Sequence, residues 1–270
     1  MKTALVPQVF IKRVAGTLGI LAIIAGVCLI DAFYIEPWFP RLITQPIYIE
    51  NLHPALEGLK IVHLSDLHIV RMGKREERAL RIIRGIKPDL ICLTGDYIED
   101  DGITPGKYTW RDCVPEAIRF MRGLHARHGV YAALGNWDRR EMIPGMEKAG
   151  VRVIEDHPAE VAIGGSRVRL CSEHDLQRRS DCDVVIVLNH FPDVADDISA
   201  SGRRADLALA VHWHGWQVWW PLRMSDVKYL AGLYQVENTQ LYVTRGLGMH
   251  SIAVRFNCPS EITCIVLRRK

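Results

Sequence analysis

The chain has 270 residues, 49% hydrophobic and 24% charged, with a formal net charge of +3. That is material for one large domain or two small ones with a buried core, and it excludes a disordered or collagen-like chain. The charge excess is too mild for a nucleic-acid footprint. Seven scattered cysteines without a CxxC suggest neither a zinc knuckle nor a disulfide framework.

The first 40 residues stand apart. No charge interrupts Val14–Ile30, and with Ala32 and Phe33 the apolar run just reaches the roughly 20 residues that cross ~30 Å of hydrocarbon. Tyr34 and Trp38 follow at the place of interfacial aromatics. Lys12 and Arg13 precede the run, while Asp31 and Glu36 follow it, so the positive-inside rule puts the N-terminus in the cytoplasm and the rest outside. An uncleaved anchor is preferred over a removed signal, because no A-x-A-like site follows the run, and over a buried soluble helix. The expected divisions are an anchor with a cytoplasmic tip over 1–35, a linker with Pro37, Pro40, Pro46 and Pro54 over 36–57, and a domain over 58–270.

Within that domain one pattern recurs: a short apolar run ends abruptly in Asp, Asn or His. Leu59–Leu64 leads to Asp66 and His68, Leu90–Leu93 to Asp96, and Val130–Leu134 to Asn136. Val184–Leu188 leads to His190, and Leu207–Val211 to His212 and His214. Such runs read as buried strands, and Arg75–Gly85 between the first two reads as a helix, giving a βαβ unit of an α/β domain. Leu241–Thr244 and Ile262–Leu267 supply further strands.

Ligands of α/β sheets collect at the carboxyl ends of strands, where all these polar residues fall. Asp, Asn and His offer oxygen and nitrogen donors suited to Mn, Fe or Zn. Asp96 could bridge two cations ~3.5–4 Å apart, the spacing of two-metal phosphoester hydrolysis. A lone DxH or HxH is commonplace, and a lone His is seldom a ligand. Five strand ends in series are different.

Asp66-Leu67-His68, Gly95-Asp96-Tyr97-Ile98-Glu99, Gly135-Asn136-Trp137-Asp138, Asn189-His190 and His212-Trp213-His214 together resemble the ordered motifs of the calcineurin-like metallophosphoesterases. Tyr242–Gly248 and Ile252–Phe256 resemble the C-terminal part of that family's membrane-associated or exported branch. The resemblance implies a four-layer α/β sandwich, two β-sheets flanked by helices, here with an N-terminal transmembrane helix. It also implies two divalent ions, Mn²⁺ first, with Fe or Zn as alternatives. Asp66, His68, Asp96 and His214 would hold one, and Asp96, Asn136, His190 and His212 the other. Asn136 and Asp138 are the expected catalytic residues.

The chain departs from this pattern at Trp137, where the family has a His that protonates the leaving group or stabilises the transition state. General acid catalysis is typically worth about 10²–10⁴ in rate, so its loss favours phosphoanhydrides and activated esters. UDP-diacylglucosamine pyrophosphatases, related proteins, also lack that His. In the last motif Val211 replaces a Gly, and Trp213 and Trp216 crowd the ligand loop.

Trp213, Trp216, Trp219 and Trp220 form a cluster that suits an apolar flap or a membrane interface. Trp219 and Trp220, with Arg139 and Arg255, are therefore the candidate substrate-binding residues. His250, near the C-terminal loop, is a weaker one. Expected partners are a phosphorylated small molecule or lipid, such as a UDP-sugar lipid, and membrane lipids, with no nucleic acid. Nucleotide-linked precursors are made inside, which pulls against an extracytoplasmic domain. The alternative is a degenerate, non-catalytic membrane protein that holds metal and a phosphorylated ligand.

Overall fold

A computed structural model describes residues 5–99, 108–176, 181–215, 217–218, 227–250 and 252–270. The strands among them are β1 (Arg41–Ile49), β2 (Lys60–Leu64), β3 (Leu90–Thr94), β4 (Val130–Ala133), β5 (Val151–Val153) and β6 (Ala159–Ile163). They continue with β7 (Ser166–Cys171), β8 (Val184–Leu188), β9 (Leu207–Ala210), β10 (Gly232–Val236), β11 (Thr239–Val243) and β12 (Glu261–Arg269). The α-helices are α1 (Leu5–Ile30), α2 (Lys74–Ile86), α3 (Trp110–Arg122), α4 (Ile143–Lys148) and α5 (Val194–Ala200).

Two six-stranded sheets form, in the orders β1-β12-β2-β3-β4-β5 and β10-β11-β9-β8-β7-β6. In the first, β2 through β5 are parallel, as are β1 and β12; in the second, β7, β8, β9 and β11 are parallel. Parallel strands are buried on both faces and so read as unbroken apolar runs, and β3 and β8 are buried at every residue. Alternate side chains serve different layers. Ile61, Leu90, Ile186 and Leu209 meet between the sheets. Val62, Leu64, Ile91 and Leu93 turn outward onto Ile83 of α2 and Phe120 of α3. Val185 and Val187 cover Ala195 and Ile198 of α5. Helix, sheet, sheet, helix is the four-layer α/β sandwich expected, with each buried Leu or Ile contributing about 1.5–3 kcal/mol.

The helix ends follow from the sequence. Glu76 turns back so that its Oε2 accepts the Gly73 N–H (2.8 Å) at the start of α2. Asp112 does the same for Thr109 before α3. At the N-terminus, Phe10–Ile35 is long and apolar enough to cross a membrane, with mean hydropathy 2.4. Its final turn, Asp31–Ile35, is π-helical.

The expectation of a linker over 36–57 needs correcting. Residues 41–49 are β1, an edge strand in parallel register with β12 from Arg41↔Glu261 to Ile49↔Arg269. Ile47 and Ile49 point into the inter-sheet core. Pro46 is tolerated because an edge strand leaves one row of N–H groups unpaired.

Candidate metal centre

The ligand residues sit where strands stop. Asp66 and His68 follow β2, Asp96 follows β3, Asn136 follows β4, His190 follows β8, and His212 and His214 follow β9. Asp66 (φ 45°), His68 (φ 40°), Asp96 (φ 54°), His212 (φ 91°) and His214 (φ 50°) all have left-handed backbone. For side chains larger than Gly that costs of order 1–3 kcal/mol each, and it persists only where the surroundings over-determine it, as at binding sites. Glycine lets the loops close on one another. A Cβ on Gly95 would lie 2.3 Å from Gly135 N, and one on Gly248 2.1 Å from the Leu67 carbonyl oxygen.

Among the described residues three groups of potential ligand atoms form: one joins His68, Glu99 and His250, and the other two share Asp66. Asp66, His68 and His214 bring one atom each to within 4.8 Å of one another, as do Asp66, Asp96 and His190. His68 Nε2 and His214 Nε2 are 3.1 Å apart. His190 Nε2 lies 3.2 Å from Asp96 Oδ2 and 3.1 Å from His212 Nδ1, so His212 borders the His190 group. Asp66 therefore belongs to both the His214 group and the His190 group. Asp96 Oδ2, 3.9 Å from His68 Nε2, also stands between them.

Whether cations fit is decided by the polar atoms. Asp66 is fully buried, and neither of its carboxylate oxygens accepts a hydrogen bond; His214 Nδ1 is also unpaired. A dry carboxylate near imidazole nitrogens, His214 Nε2 at 3.5 Å and His190 Nδ1 at 3.9 Å, is costly without a cation. Carboxylate and imidazole donors without thiolate suit Mn, Fe or Zn. The residues fit two divalent ions.

The charge distribution agrees. Burial, with help from Asp96, pushes the Asp66 carboxyl up to about 6. Burial opposes a charge on His190, but its bond to Asp96 and the charge of Asp66 hold the imidazole up at about 9. Burial, with the positive side chains of His68 and Arg255, drives His214 well down. The metal-stripped protein should thus lose thermal stability as pH rises from about 6.5 to 9. In that window folded His190 keeps a proton that the unfolded chain has released, so stability falls with pH. A divalent ion replaces that proton, so the gain in Tm from Mn²⁺ should grow over the same window by several degrees. Thermal scans of chelator-treated protein with and without Mn²⁺ check this. A gain independent of pH would contradict it.

Around the groups, Glu99 is buried with Oε2 2.6 Å from His68 Nδ1, and its Oε1 is 3.1 Å from His250 Nδ1. The pairing fixes the His68 ring so that Nε2 faces the centre. Glu99→Gln keeps the shape but removes the charge, and should weaken metal affinity and turnover about 10–100-fold, measured by metal titration and kcat/KM. The motif reading carried Glu99 as the last residue of Gly95–Glu99 without giving it this role. Its partner His250 had only its nearness to Gly248 as a signal.

Trp137 donates its backbone N–H to Asp96 Oδ1 (2.9 Å), and its ring lies 4.7 Å from that of His250. Trp137, His250, His212, His214, Asp96 and Val218 share one cleft of about 510 Å³. Val211 is buried without a positive φ, so the glycine of the motif is not needed there.

Other expected site residues fall differently. Asn136 is exposed, between Gly135 and Trp137, both of which touch Asp96. Asp138, expected to be catalytic, accepts the N–H groups of Asp96, Tyr97 and Gly135, each at 2.8 Å. It is a brace between the loops after β3 and β4. Arg139 is exposed. Arg255, expected to bind phosphate, is 0% exposed, and its guanidinium donates to the carbonyls of Gly248, Cys258, Arg245 and Gly246. An arginine with all its donors bonded inside cannot meet substrate. Trp219 and Trp220, like Trp216, lie outside the described residues.

Known proteins are similar to this chain in sequence. The profile described as calcineurin-like phosphoesterase matches residues 59–219. The protein named uncharacterized metallophosphoesterase YkuE of Bacillus subtilis (strain 168) is 29% identical over 284 aligned positions, 96% of each chain. Phosphodiesterase YaeI of Escherichia coli (strain K12) is 28% identical over 265 positions, covering 87% of this chain and 90% of its own. A transmembrane protein with metallophosphoesterase domain from Danio rerio is 27% identical over 262 positions, covering 85% of this chain and 58% of its own. With more than half of the chain inside the profile, it belongs to the calcineurin-like phosphoesterase family, as a metal-dependent hydrolase of phosphoester bonds.

Proposed function

We propose that the chain is a membrane-anchored hydrolase, using two Mn²⁺ ions, of phosphoanhydrides and activated phosphoesters carried on a lipid. The observation behind this is the pair of Asp/His groups sharing Asp66 at one cleft. Asp66, His68 and His214 would hold one ion, and Asp66, Asp96 and His190, with His212 alongside, the other. Bound there, the ions would neutralise charge on the phosphoryl oxygens and make a water nucleophilic near neutral pH.

The chain's own residues do the rest. Glu99 holds His68 in its ligating orientation, and Asp138 ties the Asp96 loop to the Asn136 loop. Trp137 presents an indole, which donates a hydrogen bond but supplies no proton to a leaving group. A strongly basic alkoxide would therefore depart slowly, whereas a phosphate monoester or aryl oxide departs without help. The apolar Phe10–Ile35 helix supports a membrane setting. Lys12 and Arg13 before it support a cytoplasmic N-terminus.

The test is turnover by metal-stripped protein reloaded with Mn²⁺. A nucleotide pyrophosphate and bis-para-nitrophenyl phosphate should be hydrolysed in a metal-dependent way, at least tenfold faster than an alkyl phosphate diester. Trp137 in the cleft favours one second reading, a phosphate-binding protein without turnover. Metal uptake with no hydrolysis of any of the three would establish that reading instead.

A further inference from the structure

The apolar helix does not end in a loose tether. Within the π-helical turn, the buried Ala32 accepts the Arg255 N–H through its carbonyl (3.0 Å). The buried Glu36 takes the Cys258 N–H on its carboxylate (2.8 Å) and the Ser260 N–H on its carbonyl (3.3 Å). Arg78 of α2 donates to the Trp38 carbonyl (2.8 Å) and lies over the Phe39 ring at 3.9 Å. Five contacts within eight residues fix the domain against the helix end.

From that end the cleft is close. Phe256, next to Arg255, donates its N–H to the Gln217 carbonyl (2.8 Å), and Val218 lines the cleft. Two strand spacings of ~5 Å and one Cα step of ~3.8 Å bound the path from Ala32 to Gln217 at about 14 Å. Gln217 also grips the main chain of His250 at both ends, donating to its carbonyl (3.0 Å) and accepting its N–H (2.8 Å). The polar layer of a bilayer is roughly 5–8 Å deep on each side. The cleft lip therefore lies at most about 14 Å from the helix end, a distance of which the polar layer spans about half.

Residues that flank this path in the sequence carry apolar side chains turned outward. Ile252 is 64% exposed, Phe39 50%, Val218 39% and Trp38 38%. Aromatic and aliphatic groups beside a membrane span are stable at the interface and costly in water. We infer that Trp38, Phe39, Val218 and Ile252 form a seat on the bilayer surface, holding the cleft mouth at headgroup depth, and that the phosphate entering it belongs to a membrane lipid. The inference rests on the membrane-anchored reading and adds to it a fixed contact between the catalytic lip and lipid.

Full-length protein in phosphatidylglycerol vesicles tests it with two readouts. Ile252→benzoylphenylalanine, irradiated, should form a lipid adduct. Arg127→benzoylphenylalanine should not, because Arg127 is exposed just before β4, at the opposite end of the sheet from the cleft. Ile252→Asp should slow hydrolysis of diacylglycerol pyrophosphate in the same vesicles at least tenfold, with the rate on soluble bis-para-nitrophenyl phosphate within twofold of the parent. Equal labelling at both positions, or equal losses on both substrates, would overturn the seat. Carbonate washing separates the two layers of the argument. Protein that washes off disproves the anchor and the seat together, whereas retained protein without a lipid adduct at 252 disproves the seat alone.

Discussion

Asp96→Asn should lower metal-dependent turnover by at least about 10³-fold and leave the protein short of bound metal. Asp96 Oδ2 reaches His190 at 3.2 Å and His68 at 3.9 Å, so one carboxylate faces ligands of both groups. Its other oxygen is taken by the Trp137 N–H. The amide preserves shape and that bond but loses the charge that draws a cation to either group. An orienting partner outside the ligand set costs roughly 10–100-fold, and a ligand itself must cost more. Metal content by mass spectrometry and kcat/KM on bis-para-nitrophenyl phosphate decide the matter. Full metal occupancy with a loss under tenfold would place the catalytic charge elsewhere.

Arg255→Leu should be the most destabilising single change outside the centre, by about 3–5 kcal/mol. Its Nε and Nη2 both reach the Gly248 carbonyl, at 3.1 and 2.6 Å. The remaining bonds go to Cys258, Arg245 and Gly246, at 3.0 to 3.2 Å. Leucine would strand these buried carbonyls, at about 1–3 kcal/mol for each left unpaired. For a domain of this size Tm should fall by roughly 10 °C or more. Arg255→Lys should restore little, because one ammonium cannot span the same fork of acceptors. Activity should fall as well, since the Gly248 N–H bonds the Asp66 carbonyl and sets the loop that carries that ligand. A Tm within 3 °C of the parent would show that the loop holds itself.

The ligand strands were legible because they are parallel and buried on both faces, which leaves unbroken apolar runs with polar residues at their ends. The pairs Asp66/His68 and His212/His214 could be read for the same reason. Other elements were not. Pro46 hid β1, whose inward face is only Ile47 and Ile49. The hairpin of β6 and β7 carried a usable signal, Gly164-Gly165 with φ 57° and 87° between alternating residues, the turn such a connection demands. The Glu99–His250 pairing joins residues 151 positions apart, and no local pattern reports it. Arg255 shows the commonest failure of residue-type reasoning: a guanidinium serves phosphate or carbonyls equally well, and only the fold says which surrounds it.

Because β1 runs beside β12, the front of the chain and its tail are one piece of sheet. Trimming the protein at residue 57 to remove the apolar helix would uncover the backbone of β12 along nine residue pairs and remove Ile47 and Ile49 from the interior. The product would stick to copies of itself through that bare flank. A cut before Glu36 keeps the flank covered and retains the carboxylate that receives Cys258, so a water-soluble catalytic fragment has its natural start there.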